Sequence, residues 1–160
     1  MMREVLSRLD ELGIQYELDE HGAVFTMEEI SALGLDKKGM MPVNLFLRDY
    51  KGRRHFLVIH DGAKHTDLTK LREQIGCTRL SFGSDERLMK HLGLTPGSVS
   101  PFGLINNANH DVELVIDESI RGRDKLGFHP NVNTATVWIS WDGFMKFVDS
   151  CGNPVRFADC

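Results

Sequence analysis

GSVSPFGL at residues 97–104 and GFHPNVNT at residues 127–134 are the two stretches around which this sequence is organised. The first predicts a Gly-x-x-x-Pro turn that runs into an apolar strand, and the second places His129 between a glycine and a proline. Glycine permits sharp turns and close approach, whereas proline fixes φ and lacks an N–H donor. Such loops present unpaired backbone groups to a pocket, and the imidazole adds a titratable group. A small hydrolase that lacks a metal and a nucleophilic side chain can be built from these parts.

Composition sets broad limits. The 160 residues are 41% hydrophobic and 26% charged, which predicts one globular domain over residues 1–160. The net charge of -4 argues against a DNA-binding protein or one that grips long RNA, but it allows contact with the end of an RNA. No apolar run approaches the ~20 residues of a membrane span, and the N-terminus lacks the core of a signal peptide. We therefore expect a cytoplasmic protein whose three cysteines are reduced thiols.

Short helices and strands alternate along the chain. Helix caps are predicted at Thr26, Thr66, Ser84 and Asp142, and Gly52 predicts a hairpin turn. The predicted helices cover residues 3–12, 26–34, 67–75, 85–92 and 143–149. The predicted strands cover residues 14–18, 44–49, 55–60, 79–82, 102–105, 112–116, 125–128, 134–140 and 155–157. Strands spaced this closely favour an α+β fold with a curved, mixed sheet flanked by short helices.

Several catalytic patterns are missing from the sequence. It has no phosphate-binding Gly-x-x-x-x-Gly-Lys-Ser/Thr loop, no zinc-binding His-Glu-x-x-His or His-x-Glu…Cys-x-x-Cys motif, and no Gly-x-Ser-x-Gly nucleophile elbow. These absences predict that no cofactor and no metal are needed. Two kinds of function are still compatible with the sequence: hydrolysis without ATP, or binding without catalysis.

The two opening stretches, together with VFTMEE (24–29), NLFLRD (44–49) and LSF (80–82), resemble the YbaK/ProX family of aminoacyl-tRNA editing domains. The similarity runs from about Met1 to Phe157 and is strongest to freestanding prolyl-tRNA editing proteins of the PrdX/ProXp-ala type. It implies a mixed, barrel-like sheet with helices outside it. It also implies that the protein deacylates alanine mischarged onto proline tRNA, by hydrolysis of the ester at the terminal adenosine.

The resemblance also implies roles for particular residues. His129 matches the histidine that shapes the amino-acid pocket, and the backbone of the 97–101 loop would hold the attacking water and the ester carbonyl. The implied catalytic set is Gly97, Ser98, Val99, Ser100, Pro101 and His129. The implied substrate-binding set is Val43, Asn44, Phe102, Gly103, Leu104, Gly127, Thr134, Lys37 and Lys38.

One position departs from the family pattern. Val43 stands where the family carries a lysine thought to contact the phosphate of the terminal adenosine, and valine can supply neither charge nor a hydrogen bond. Lys37 or Lys38, just upstream, is a candidate replacement. Two alternatives stay open: a deacylase for cysteinyl- or seryl-tRNA, and a weakly catalytic module that binds aminoacyl-tRNA or a synthetase. The implied partners are the acceptor end of tRNA(Pro) and prolyl-tRNA synthetase.

Overall fold

The computed structural model describes residues 2–63 and 65–160. The helices of this part are α1 (Met2–Glu11), α2 (Met27–Ala32), α3 (Leu68–Ile75), α4 (Asp85–Leu92) and α5 (Trp141–Cys151). The strands are β1 (Tyr16–Glu20), β2 (Val43–Arg48), β3 (His55–His60), β4 (Ser81–Phe82), β5 (Val112–Asp117), β6 (Leu126–Phe128), β7 (Ala135–Ile139) and β8 (Val155–Ala158). The predicted α+β class is confirmed.

Helix starts follow side-chain capping. Thr26 and Ser84 cap α2 and α4 as predicted, each accepting a hydrogen bond from the amide three residues on. The predicted caps of α3 and α5 are wrong by one or two positions. Asp67 rather than Thr66 accepts from two amides of α3, and Ser140 rather than Asp142 accepts from the Gly143 amide.

The larger sheet has five strands in the order β4-β2-β3-β5-β8. The predicted hairpin is present: β2 and β3 are antiparallel, and the turn glycine Gly52 has a positive φ of 69°. Strand β3 then pairs in parallel with β5, and β5 pairs in parallel with β8, so this sheet is mixed. All six side chains of β3 are buried, which places this strand at the centre of the fold.

The smaller sheet has three antiparallel strands in the order β1-β7-β6. A single parallel bridge between Met40 and Leu126 joins it to the segment that leads into β2. The expected barrel-like sheet is therefore wrong in its detail. The strands form two sheets that meet at this bridge and do not close into a barrel.

The predicted strand over residues 102–105 is also wrong, because Pro101–Asn106 forms a 3-10 helix. Ser100 begins it: its Oγ accepts from the Phe102 amide at 3.2 Å, and its carbonyl accepts from the Gly103 amide at 3.0 Å. Proline at the first helical position favours this start. A short apolar run such as Phe102–Ile105 fits a buried strand or a buried helical turn equally well, and here the cap decides.

Candidate functional site

A cavity of about 240 Å³ opens where the two sheets meet. Four segments surround it: the start of β2, the end of β6, the 96–99 turn, and residues 24–30 around α2. Its lining residues are Val24, Phe25, Thr26, Met27, Ile30, Met41, Pro42, Val43, Asn44, Pro96, Gly97, Val99, Gly127, Phe128 and His129. A larger cleft of about 770 Å³ beside α1 and β1 contains none of the sequence-predicted site residues.

His129 lies at the end of β6 with one ring nitrogen already engaged. Its Nδ1 is 3.0 Å from the Ala135 carbonyl oxygen. Because a carbonyl only accepts, Nδ1 carries the hydrogen, and in the neutral ring Nε2 is an acceptor. Burial lowers the pKa of His129, and this outweighs the opposing effect of the Ala135 carbonyl. The site therefore presents a neutral imidazole with a free acceptor at neutral pH.

Asn44 brings a second acceptor from the other sheet. Its Nδ2 donates to the Pro42 carbonyl at 3.3 Å, which fixes the orientation of the amide. Its Oδ1 is buried and has no partner among the described residues. An unsatisfied buried oxygen costs about 1–3 kcal/mol, and a ligand that donates to it would recover that energy only after the side chain shifts, because less than 1 Å² of Oδ1 is accessible.

The 96–99 turn contributes backbone donors. Gly97 and Val99 line the cavity, and the hydrogen bonds of the described residues leave both of their amides without an acceptor. Gly97 also allows a close approach: a Cβ there would lie 2.8 Å from Cε1 of Phe25. Unpaired N–H groups on residues that line a cavity are candidates to stabilise a negatively charged oxygen.

Asparagines behind the cavity connect these loops. The side-chain amide of Asn131, which has a positive φ of 63°, donates to the Phe102 carbonyl at 3.4 Å. The side-chain amide of Asn133 donates to the Val24 carbonyl at 3.4 Å. The loop that carries His129 is thereby tied to the 3-10 helix and to the segment before α2.

Other predicted site residues lie outside the cavity lining. Ser98, Ser100, Pro101, Phe102 and Leu104 are buried, and Phe102 and Leu104 belong to the main hydrophobic core. The sequence suggested that Gly103 admits a ligand close to the backbone. In the fold a Cβ on Gly103 would instead lie 2.6 Å from Cδ1 of Leu94. Thr134 is exposed, and its carbonyl accepts from the His21 amide at 2.9 Å. Gly127 does line the cavity.

The two candidate lysines also lie outside the lining. Lys38 is held by Asp19, with Nζ 2.5 Å from Oδ2, and the same contact raises the pKa of Lys38. Lys37 is exposed on a short 3-10 helix. Val43, by contrast, lines the cavity, and a Cβ on Gly62 would lie 3.4 Å from its Cγ2. The cavity therefore has no lysine at the family position or from this upstream pair.

Sequence reasoning missed several lining residues. Phe25, Met27, Met41 and Pro42 were not among the predicted site residues, although two of them fall in the VFTMEE stretch. Phe25 and Met27 are 70% and 47% exposed, which is unusual for large apolar side chains beside a cavity. No pattern in the sequence distinguishes such residues from core residues.

Two further observations concern the described residues as a whole. Residues 2–63 and 65–160 contain no group of three or more histidine, cysteine, aspartate or glutamate side chains arranged to hold a metal ion. Over the same ranges, no helix is both long enough and apolar enough to span a membrane.

The fold is shared with a protein of known structure. A crystal structure provisionally described as a trans-editing enzyme for prolyl tRNA synthetase superposes with a TM-score of 0.74 at 19% identity. The match covers 99% of this chain and 94% of the other, so the two proteins share the fold.

Sequence comparison identifies the family. The model of the aminoacyl-tRNA editing domain matches residues 21–147. The prolyl-tRNA editing protein ProX of Acetoanaerobium sticklandii is 46% identical over 152 residues, which cover 95% of this chain and 93% of ProX. The mouse prolyl-tRNA synthetase associated domain-containing protein 1 is 33% identical over 94% of this chain and 90% of its own. The chain belongs to the aminoacyl-tRNA editing domain family.

Proposed function

We propose that this protein is a trans-editing deacylase that hydrolyses the ester of alanine mischarged onto proline tRNA. One observation carries the proposal. His129 with its neutral imidazole, Asn44 of β2, and Gly97 and Val99, whose amides have no acceptor among the described residues, line one small cavity. The ProX relative supports a substrate linked to prolyl-tRNA.

The chemistry requires only these groups. Water adds to the ester carbonyl, the carbonyl oxygen becomes an oxyanion, and the C–O bond to the ribose then breaks as the ribose oxygen takes up a proton. The Gly97 and Val99 amides are suited to the oxyanion, and removal of one such donor typically costs about 3–4 kcal/mol of transition-state stabilisation. The resemblance implies that the neighbouring ribose hydroxyl assists the proton transfer.

Asn44 and His129 are suited to holding the amino acid. The α-ammonium of alanine is a donor, and Nε2 of His129 is a free acceptor. Oδ1 of Asn44 is a second unpaired acceptor, which a shift of the buried amide would expose to the cavity. Rejection of proline is then steric, because the bulkier ring must fit among His129, Phe128 and Gly127 at the end of β6. A second site that selects by size is the usual solution where binding to a synthetase discriminates poorly.

The valine at position 43, where the family has a lysine, favours a second candidate function. Without the family lysine, the site lacks a charged interaction with phosphate worth about 1.5–3 kcal/mol, which corresponds to one to two orders of magnitude in activity. The second candidate is therefore a module that binds aminoacyl-tRNA or prolyl-tRNA synthetase with weak catalysis. A deacylase for cysteinyl- or seryl-tRNA is the other open substrate choice. For each of these functions we also propose a cytoplasmic location and a single domain over residues 1–160.

A panel of acylated tRNAs tests the proposal. The purified protein is expected to hydrolyse Ala-tRNA(Pro) without ATP and in the presence of EDTA, and to spare Pro-tRNA(Pro). If cysteinyl- or seryl-tRNA is hydrolysed faster than Ala-tRNA(Pro), that tRNA is the preferred substrate. Cleavage of Pro-tRNA(Pro) at the same rate as Ala-tRNA(Pro) would contradict a pocket that selects by size. Binding of Ala-tRNA(Pro) without measurable hydrolysis would favour the binding module.

A further inference from the structure

A second cavity of about 240 Å³ lies at the other end of β2. We call it the basic cleft; it is lined by Arg48, Tyr50, Arg79 and Ser81. Arg48 ends β2 and pairs with Ser81 of the edge strand β4, and Tyr50 begins the turn of the β2–β3 hairpin. Two more cations, Lys51 and Arg53, follow on the same turn, and both are exposed.

The arginines of the basic cleft and the two cations of the adjoining turn are not neutralised by any described residue. Arg48, Lys51, Arg53 and Arg79 form no ion pair with any described residue. Seven cations elsewhere do: Lys38, Arg54, Lys70, Arg121, Arg123, Lys125 and Arg156. The Arg48 guanidinium donates to the carbonyls of Asp49 and Tyr50, which orients it without removing its charge.

The acidic residue on this turn faces inward. Asp49 is buried, and its carboxylate accepts from the Arg53 and Arg54 amides at 2.8 and 3.1 Å. Burial alone would raise the pKa of Asp49, but these backbone donors outweigh it and keep the pKa below its ordinary value. The carboxylate is thus engaged within the turn, and the lining of the cleft carries positive charge only, in a chain whose net charge is -4.

An exposed aromatic side chain, Tyr50, lines the basic cleft beside these cations. Tyr50 is 69% exposed, and its amide donates to Thr78 Oγ1 at 3.1 Å, which anchors the turn beside Arg79. Exposed aromatic rings beside unpaired cations are typical of surfaces that bind single-stranded nucleic acid, because bases stack on the rings while cations contact phosphates.

Strand β2 connects the two cavities. Val43 and Asn44 line the candidate active site, and Arg48 lines the basic cleft, five residues along the same strand. At ~3.4 Å per residue the two ends are about 17 Å apart. A stacked single strand advances by ~3.4 Å per nucleotide, so this distance corresponds to about five nucleotides or fewer. A strand whose last nucleotide enters the active-site cavity could therefore place earlier phosphates in the cleft.

We propose that the basic cleft binds the phosphates and bases of the 3′ strand of the tRNA acceptor end, upstream of the terminal adenosine. This inference rests on the proposed function, because it takes the terminal adenosine to lie at the 240 Å³ cavity beside His129. It also offers a physical compensation for Val43: the phosphate interaction missing next to the ester is replaced by several farther along the strand.

The test compares a long and a short substrate. The double variant Lys51→Gln/Arg79→Gln removes two exposed cations whose side chains donate no hydrogen bond to a described residue, so the fold is expected to persist. Lys146→Gln is the control for loss of a single surface charge, because Lys146 is exposed on α5 and forms no ion pair with a described residue. The substrates are Ala-tRNA(Pro) and 2′(3′)-O-alanyl-adenosine, which is too short to reach the cleft.

The double variant is expected to raise KM for Ala-tRNA(Pro) about tenfold while hydrolysing alanyl-adenosine at the wild-type rate. The slope of log KM against log salt is expected to fall by ~0.7 for each phosphate that the variant no longer binds. Lys146→Gln is expected to leave both substrates unchanged. Equal KM values for the double variant and the wild type would overturn the proposal.

A failure of the proposed function is distinguishable from a failure of the cleft. If the wild type hydrolyses neither substrate, the deacylase proposal fails, and the Kd for uncharged tRNA(Pro) then tests the cleft alone. A weaker Kd in the double variant would support RNA binding, and an equal Kd would overturn it. If the double variant binds RNA as the wild type does but binds prolyl-tRNA synthetase more weakly, the RNA-binding proposal is overturned and the cleft is a protein-binding surface.

Discussion

At the scale of single residues, the chemistry of the cavity depends on which atoms are already engaged. Nδ1 of His129 donates to the Ala135 carbonyl and Nδ2 of Asn44 to the Pro42 carbonyl, which leaves Nε2 free and Oδ1 unpaired but buried. Both atoms are acceptors, so the site is suited to a substrate that brings hydrogen-bond donors. Neither feature can be read from residue identity, because the backbone partners are fixed only in the fold.

The first prediction concerns His129. We expect His129→Ala to lower kcat/KM for Ala-tRNA(Pro) at least tenfold and to narrow the ratio between alanyl and prolyl hydrolysis, because a hydrogen-bonding wall of the pocket is removed. His65→Ala, at an exposed histidine outside the cavity, is the control. A wild-type ratio combined with a lowered melting temperature would show that His129 has a structural role only.

The pH profile follows from the same side chain. Since burial depresses the pKa of His129, the neutral form persists below the ordinary value of about 6.5. Activity that depends on the Nε2 acceptor should be complete above pH 6.5 and should fall as pH drops through the depressed pKa. We expect this acid limb in kcat/KM of the wild type and its absence in the residual activity of His129→Ala.

Val43 gives the next prediction. Val43→Lys is expected to raise deacylation up to about tenfold at low tRNA concentration and low salt, and the gain should shrink as salt rises. Val43→Met, which is long but uncharged, separates charge from size. Because Lys38 is held by Asp19 and neither upstream lysine lines the cavity, Lys37→Ala/Lys38→Ala is expected to change the rate little. A large decrease in that double variant would assign the phosphate interaction to those lysines.

At the scale of secondary-structure elements, sequence patterns predicted the hairpin, most helices and the position of His129 in a loop before β7. They failed where an element is decided by a cap or by packing. Ser100 and Pro101 turn an apolar run into a 3-10 helix, and Asp67 rather than Thr66 begins α3. The pairing of β3 with β5 and the bridge that joins the sheets involve residues far apart in sequence, so no local pattern reports them.

The 3-10 helix supports a prediction about stability. A Cβ at Gly103 would lie 2.6 Å from Cδ1 of Leu94, which is itself buried, so Gly103→Ala overpacks the core. Overpacking of this kind typically costs about 1–3 kcal/mol in the free energy of unfolding, measurable by urea denaturation. The double variant Gly103→Ala/Leu94→Ala removes the overlapping atoms, and its destabilisation should be smaller than the sum of the two single effects. Additive effects would show that the close approach is not the cause.

At the scale of the whole molecule, the candidate site exists only because the two sheets meet. Asn44 comes from the five-stranded sheet and His129 from the three-stranded one, and the Met40–Leu126 bridge holds their edges together. Any condition that destabilises the fold should therefore also separate the residues of the candidate site. Acid is such a condition, because burial lowers the pKa of His55, His91 and His129.

The last prediction concerns this acid sensitivity. Burial, with the nearby His91 and Arg87, lowers the pKa of His55 to about 4, and Arg87 Nη1 lies 3.0 Å from its Nε2. Between pH 6.5 and 4, His55 is protonated in the unfolded chain but neutral in the folded chain. The contribution of His55 to the free energy of unfolding is therefore complete above pH 6.5 and is lost as pH falls through this window. A shift of this size corresponds to at most about 3 kcal/mol. We would measure the free energy of unfolding in urea at pH 7.5 and at pH 5, and we expect it to decrease less for His55→Gln than for the wild type. The control His65→Ala should show the same decrease as the wild type. Equal decreases for all three proteins would contradict a role for His55.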